Sequence, residues 1–60
     1  MISCMLMGPD EVHDKHVSLP AVPRVGEKIH VAAIQKKLRV TDVMYYINLT
    51  IVDVWVEYID

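Results

Sequence analysis

The segment Leu38-Arg39-Val40-Thr41-Asp42-Val43-Met44-Tyr45-Tyr46-Ile47-Asn48-Leu49-Thr50-Ile51-Val52-Asp53-Val54-Trp55-Val56-Glu57-Tyr58 decides the fold. Successive side chains of a strand point to opposite faces. Leu38 and Val40 therefore share one face, as do Val43, Tyr45 and Ile47, but the two sets differ in parity. A step of three where a strand steps by two is the signature of a β-bulge, placed here at Thr41-Asp42. After it, Thr50, Val52, Val54, Val56 and Tyr58 alternate along a last strand. A two-residue turn at Asn48-Leu49, with Asn in the left-handed conformation it tolerates, sets Ile47 opposite Thr50, Tyr45 opposite Val52 and Val43 opposite Val54. Beyond the bulge the same register sets Val40 opposite Val56 and Leu38 opposite Tyr58. One register thus gathers the apolar residues of both strands on one face, and a slip of one residue would turn them all to water.

The same pairing defines an outer face. Arg39 falls opposite Glu57, Met44 opposite Asp53 and Tyr46 opposite Ile51, with Trp55 near the bulge. Trp55, Tyr46, Ile51, Ile59 and Arg39 are expected together there, exposed between charges. Trp, Tyr and Arg dominate interface energetics, and a contiguous apolar patch on a small soluble domain marks a contact surface. The alternative is that Trp55 covers one end of the barrel or packs under the first strand.

Outward from this hairpin the pattern stays β. Val and Ile supply 16 of the 60 residues and Phe is absent; β-branched side chains lose rotamer freedom in helices and pack well on pleated surfaces. Ile2, Cys4 and Leu6 alternate with Ser3, Met5 and Met7 as a first strand, ended by turn chemistry at Gly8-Pro9-Asp10. Residues 10–16 place three acids, two histidines and a lysine around a single Val, which reads as a solvated loop. Val17 and Leu19 resume alternation until Pro20. Two prolines, Pro20 and Pro23, force an extended arm, and Gly26 supplies a positive φ at its corner. Ile29 and Val31 form a third strand, with a turn whose tip is Gln35-Lys36; a short helix over residues 32–38 is the competing reading. The expectation is one all-β domain, residues 1–60: a small antiparallel, SH3-like, partly open barrel of about five strands.

Size and composition bound the function. A 60-residue domain buries only ~60% of its unfolded surface, and such domains lean on disulfides, metals or partners. Cys4 is the one cysteine, so no internal disulfide forms, and a lone thiol fits a reducing compartment. Apolar residues make up 53% of the chain, more than a small interior holds, which points to self-association. No apolar run reaches the ~18 residues of a membrane helix, and residues 1–7 lack the charged lead of a signal peptide; a cytoplasmic location is expected, with no membrane partner. A net charge of −2 steers no charged partner strongly.

Three chemistries compete with protein contact. Asp10, Glu11, His13, Asp14 and His16 lie close in sequence, but zinc needs about four ligands held by outer-shell bonds, and a solvated charged loop explains them without metal. Cys4, His30 and Asp53 form no known nucleophile signature, so neither catalytic nor cofactor-binding residues are assigned and no enzyme activity or cofactor is expected. Lys36, Lys37 and Arg39 cluster near a turn and could meet phosphates, with Tyr45, Tyr46, Trp55 and Tyr58 as stacking platforms. Lysines that blunt a strand edge are the simpler account.

Leu19-Pro20-Ala21-Val22-Pro23-Arg24-Val25-Gly26-Glu27, followed by Leu38-Arg39-Val40-Thr41-Asp42-Val43 and an apolar last strand, resembles a loose group of short bacterial and prophage-type proteins. These share a proline-arginine-x-glycine-glutamate corner within an SH3-like small barrel. The resemblance covers about residues 15–59 and departs from the group in lacking a Gly or Asp turn before Leu38. It implies the fold and a phage or mobile-element origin, with no chemistry. The expected function is a non-enzymatic protein-interaction module, homodimeric or bound to a host protein such as a defence component. A small nucleic-acid or nucleotide-binding barrel is the alternative, and a minor component of a phage-like assembly the third.

Overall fold

The computed structural model describes residues 1–59. Five strands follow one another: β1 Ile2–Met7, β2 Lys15–Leu19, β3 Lys28–Val31, β4 Lys36–Tyr45 and β5 Ile51–Tyr58. They form one sheet in the order β2-β1-β5-β4-β3, curled into a half-barrel. The all-β class, the five strands and the partial closure match the sequence reading. One pairing does not: β1 runs parallel to β5, with Cys4 beside Val52 and Leu6 beside Val54, so the sheet is mixed rather than antiparallel. Alternation alone cannot give the direction of a neighbouring strand, because both directions bury the same face.

The β4–β5 register is the one the sequence dictates. Leu38 faces Tyr58, Arg39 faces Glu57, Val40 faces Val56, Val43 faces Val54, Met44 faces Asp53 and Tyr45 faces Val52, with the irregularity between Val40 and Asp42. The turn itself differs. Leu49 N–H donates to Tyr46 O at 3.5 Å, which centres the turn on Ile47-Asn48 rather than Asn48-Leu49. Asn48 has no positive φ; among described non-glycine residues only Asp10, Asp14 and Gln35 do.

Inward-facing residues build the core: Cys4, Leu6, Val12, Leu38, Val40, Val52, Val54 and Val56 are all buried. Full burial of one such side chain contributes ~1.5–3 kcal/mol. Val17, Leu19, Ile29, Val31, Val43 and Tyr58 pack around them, as do Val22 and Ile34 from the connections. Val12 was unexpected. The charged segment is no open loop but a 3-10 turn over Asp10–Val12, and its lone apolar residue plugs the end of the half-barrel with no exposed surface. Gly8 lets this turn approach. A Cβ there would lie 2.6 Å from Val12 Cγ2 and 2.8 Å from Val56 Cγ2, so close packing, and not an unusual dihedral, requires glycine. Tyr45 and Ile47 share the inward parity yet are 67% and 96% exposed, because β3 pairs with β4 only along Lys36 to Arg39 and the β4–β5 hairpin runs on beyond it.

The proline-glycine arm ends in a turn over residues 24–27. Glu27 N–H donates to Arg24 O at 3.0 Å, and Gly26 takes φ 96, the position where a type II turn demands a positive value. The Glu27 carboxylate accepts from Arg24 N–H at 2.6 Å. The corner is pinned to β4: Gly26 N–H donates to Val40 O at 2.8 Å, and Val40 N–H to Glu27 O at 2.9 Å. It docks where the bulge begins, and thereby ends β4's pairing on that side. The β3–β4 connection is a turn over residues 32–35 closed by Gln35 N–H on Ala32 O at 3.2 Å. Its tip precedes Lys36, which already belongs to β4, and the helical alternative for residues 32–38 is not adopted.

Candidate interaction surface

Alternation from the core residues assigns the opposite, outer face. Directly paired residues share a face, so Met7, Trp55 and Asp42 form one row across β1, β5 and β4, and His16, Met5, Asp53 and Met44 form the next across β2 to β4. Ser3 and Ile51 follow on one side, and Glu57, Arg39 and Lys28 on the other. β5 is the middle strand, so Trp55 sits near the centre of this face. It is half-buried between neighbouring strands, rather than standing free as the sequence suggested.

The five residues expected here occupy one face but do not form one cluster. Ile51 and Ile59 are eight residues apart on an extended chain, roughly 27 Å, and both are half-buried. Tyr46 is 38% exposed and donates its hydroxyl to Asp53 Oδ2 at 2.6 Å. That bond, with some desolvation and the Asp53 charge, raises the Tyr46 pKa above its ordinary value. Arg39 lies 3.9 Å from Glu57, both side chains about half exposed, a geometry that adds little stability. Ile59 N–H donates to Lys37 O at 3.2 Å, at the far end of the face.

Met5, Met7 and Met44 are the residues that sequence reasoning missed around Trp55. Met44 was placed on the outer face, but the β1 methionines across β5 from it were not legible, because the parallel β1–β5 pairing was not. Thioethers adapt to varied surfaces and favour aromatic edges, so three methionines around a central tryptophan make an apolar, adaptable patch. Asp53 lies within it, between Met5 and Met44, with Asp42 beside Trp55.

The expected lysine cluster is divided. Lys36 pairs with Val31 on the inner side and its Nζ lies 5.5 Å from the Tyr58 ring centroid. Lys37 pairs with His30, and Arg39 with Lys28, on the outer side. Lys28, His30 and Lys37 line an open groove of about 480 Å3 with Ile29 and Ile59. A second open groove of about 480 Å3, lined by Leu19, Pro20, Ala21, Val22, Pro23, Glu27, Lys28 and Ile29, runs under the arm.

The remaining sequence candidates do not assemble. Cys4 is buried in the core, where desolvation raises its pKa, while Asp53 and His30 lie on the outer face. His13 Nε2 is 3.3 Å from Asp14 Oδ2, but among the described residues no three of the histidines, acids and cysteine converge at metal-binding spacing. Comparison with protein-family models, with curated proteins and with solved structures gave no match.

Proposed function

We propose that this chain is a non-enzymatic protein-interaction domain that engages a partner through the outer face of its sheet, centred on Trp55. One observation carries the reading: Trp55 is flanked by Met7, with Met5 and Met44 in the adjoining row and Ile51 in the row beyond, on the face opposite the core. Val12, Val22 and Ile34 of the connections pack against the inner core, and Tyr46 of the β4–β5 connection reaches the outer face through its bond to Asp53. A central aromatic anchor among adaptable apolar neighbours is the arrangement of an energetic hot spot. The resemblance carried by Pro23-Arg24-Val25-Gly26-Glu27 extends this to a small phage-type protein that occupies a cytoplasmic host protein's surface, such as a defence component; that extension rests on analogy of form.

The test uses immobilised wild-type chain and its Trp55→Ala variant against host extract, with circular dichroism to verify the fold. Loss of a central aromatic anchor should weaken partner binding by ~2 kcal/mol or more, about thirtyfold. A captured partner held equally by the variant refutes the outer-face reading. The two lysines of the groove lined by Lys28, His30 and Lys37 favour a second reading, nucleic-acid or nucleotide binding with Arg39 beside it. Phosphate contacts lose affinity steeply with salt, so a flat response to salt removes it.

A further inference from the structure

We propose that the open edge of β4 over residues 41–45 pairs with the same edge of a second copy of this chain, antiparallel across a two-fold axis. β3 accompanies β4 only from Lys36 to Arg39, and the arm's corner takes both main-chain groups of Val40. From there to Tyr45, β4 has β5 on one side and no described strand on the other.

The main chain there is presented for pairing. Val40 turns its N–H and C=O away from β5, and it faces Val56. Val54 and Val56 are two apart on a regular strand, so the residue opposite Val54 has the same orientation once the bulge is passed. Val43 and Tyr45 therefore aim their N–H and C=O groups at the open edge. Asp42 Oδ1, accepting from Val43 N–H at 2.9 Å, occupies the place a strand would take.

The end of this stretch carries exposed apolar side chains: Met44 is 47% exposed and Tyr45 67%, with Ile47, just beyond the strand, at 96%. Val43-Met44-Tyr45-Tyr46-Ile47 holds no charge. The sheet's other two edges carry the features that deter strand addition, charged side chains and proline: Lys15, His16 and the following Pro20 on β2, and Lys28 and His30 on β3. On the open part of β4 the one such feature is Asp42.

The occupant that fits is a second copy. With Met44 at the dyad, Val43 of each chain faces Tyr45 of the other, a β-branched–aromatic pair made twice on the inner side, joined by about four main-chain hydrogen bonds. The same register sets Asp42 opposite Tyr46, so the two carboxylates do not oppose each other. Pairing along a dyad consumes both open edges and stops at two chains. The contact takes up Met44, Asp42 and Tyr46 at one margin of the outer face but leaves Trp55, Met5 and Met7 open, and it does not rest on their proposed role.

Light scattering and sedimentation over a concentration series, with Tyr45→Lys and Trp55→Ala variants whose fold is verified by circular dichroism, test the proposal. Wild type should reach twice the chain mass, Tyr45→Lys should raise the dimer dissociation constant at least about tenfold, and Trp55→Ala should leave it unchanged. A wild-type chain that stays monomeric at millimolar concentration overturns the dimer and leaves the outer-face reading untouched. A dimer lost on Trp55→Ala but kept by Tyr45→Lys transfers self-contact to the outer face and overturns the edge pairing. Where both variants dissociate, mixed isotope labelling decides: inter-chain proximity of Val43 and Tyr45 supports the edge, and its absence overturns it.

Discussion

Replacing Gly8 with alanine puts a methyl group into space that two valines already fill. The added Cβ would stand 2.6 Å from Val12 Cγ2, 2.8 Å from Val56 Cγ2 and 3.3 Å from Val56 O. Neither side chain has room to yield, since Val12 is fully buried and Val56 is 6% exposed, and β-branched residues have few rotamers to try. Overpacking of this kind costs typically ~1–3 kcal/mol. Against it stands the ~0.4–1 kcal/mol that Gly→Ala contributes by narrowing the unfolded ensemble, a gain open here because Gly8 has no positive φ. The net expectation is a loss of about 1–2 kcal/mol. In a domain of this size that lowers the melting temperature by roughly 4–16 °C. Urea unfolding followed by circular dichroism at fixed chain concentration should show a lower midpoint with an unchanged slope. Adding Val12→Ala removes the nearer of the two offended methyl groups, so the double variant should lose at least ~0.5 kcal/mol less than the sum of the singles. A Gly8→Ala chain as stable as wild type, or strict additivity with Val12→Ala, would refute the close-approach argument.

Gly26→Ala meets no atom within 4 Å but must hold φ 96, so it should cost about 1–2 kcal/mol, and Gly26→Asn less; equal midpoints for Gly, Asn and Ala in urea would show that the corner does not need a positive φ. The Tyr46 hydroxyl should ionise above its ordinary value because its neutral form donates to Asp53. A raised folded-state pKa means that the hydroxyl's contribution is full below the unfolded pKa of ~10 and disappears as pH rises through the folded one. Ultraviolet titration should show Asp53→Ala bringing this tyrosine down towards the free value, and an unmoved titration would dismiss the bond.

The sequence was most legible where two strands constrain each other. The change of parity between Val40 and Val43 fixed the bulge, and the valines of β5 fixed its register, because any other pairing would expose them. Non-local placements were illegible. β1 and β5 are both short apolar runs, and nothing in either states that they lie side by side in the same direction. The methionines beside Trp55 were missed for that reason. Val12 was lost among charges, since a single buried residue has no period to detect, and Gly8 was read as a turn residue when its neighbours in space demand it. Tyr45 and Ile47 carry the core's alternation past the point where β3 stops, so pattern alone overstated the core. The lysine run failed by the opposite error: strand geometry sends Lys36 inward and Lys37 outward, which no count of positive charges reveals.

Because the central strand of the sheet is the fifth in chain order, the two halves of the molecule have nothing to join them until residues 51–58 take their place. A nascent chain holds two separate hairpins, one at each flank of an empty slot. Completing the sheet then requires bringing the first strand against the final one, across nearly the whole chain, a contact pattern that slows folding. A variant lacking Ile51–Tyr58 would lose its keystone and leave two apolar ribbons uncovered, so this one strand holds the domain together.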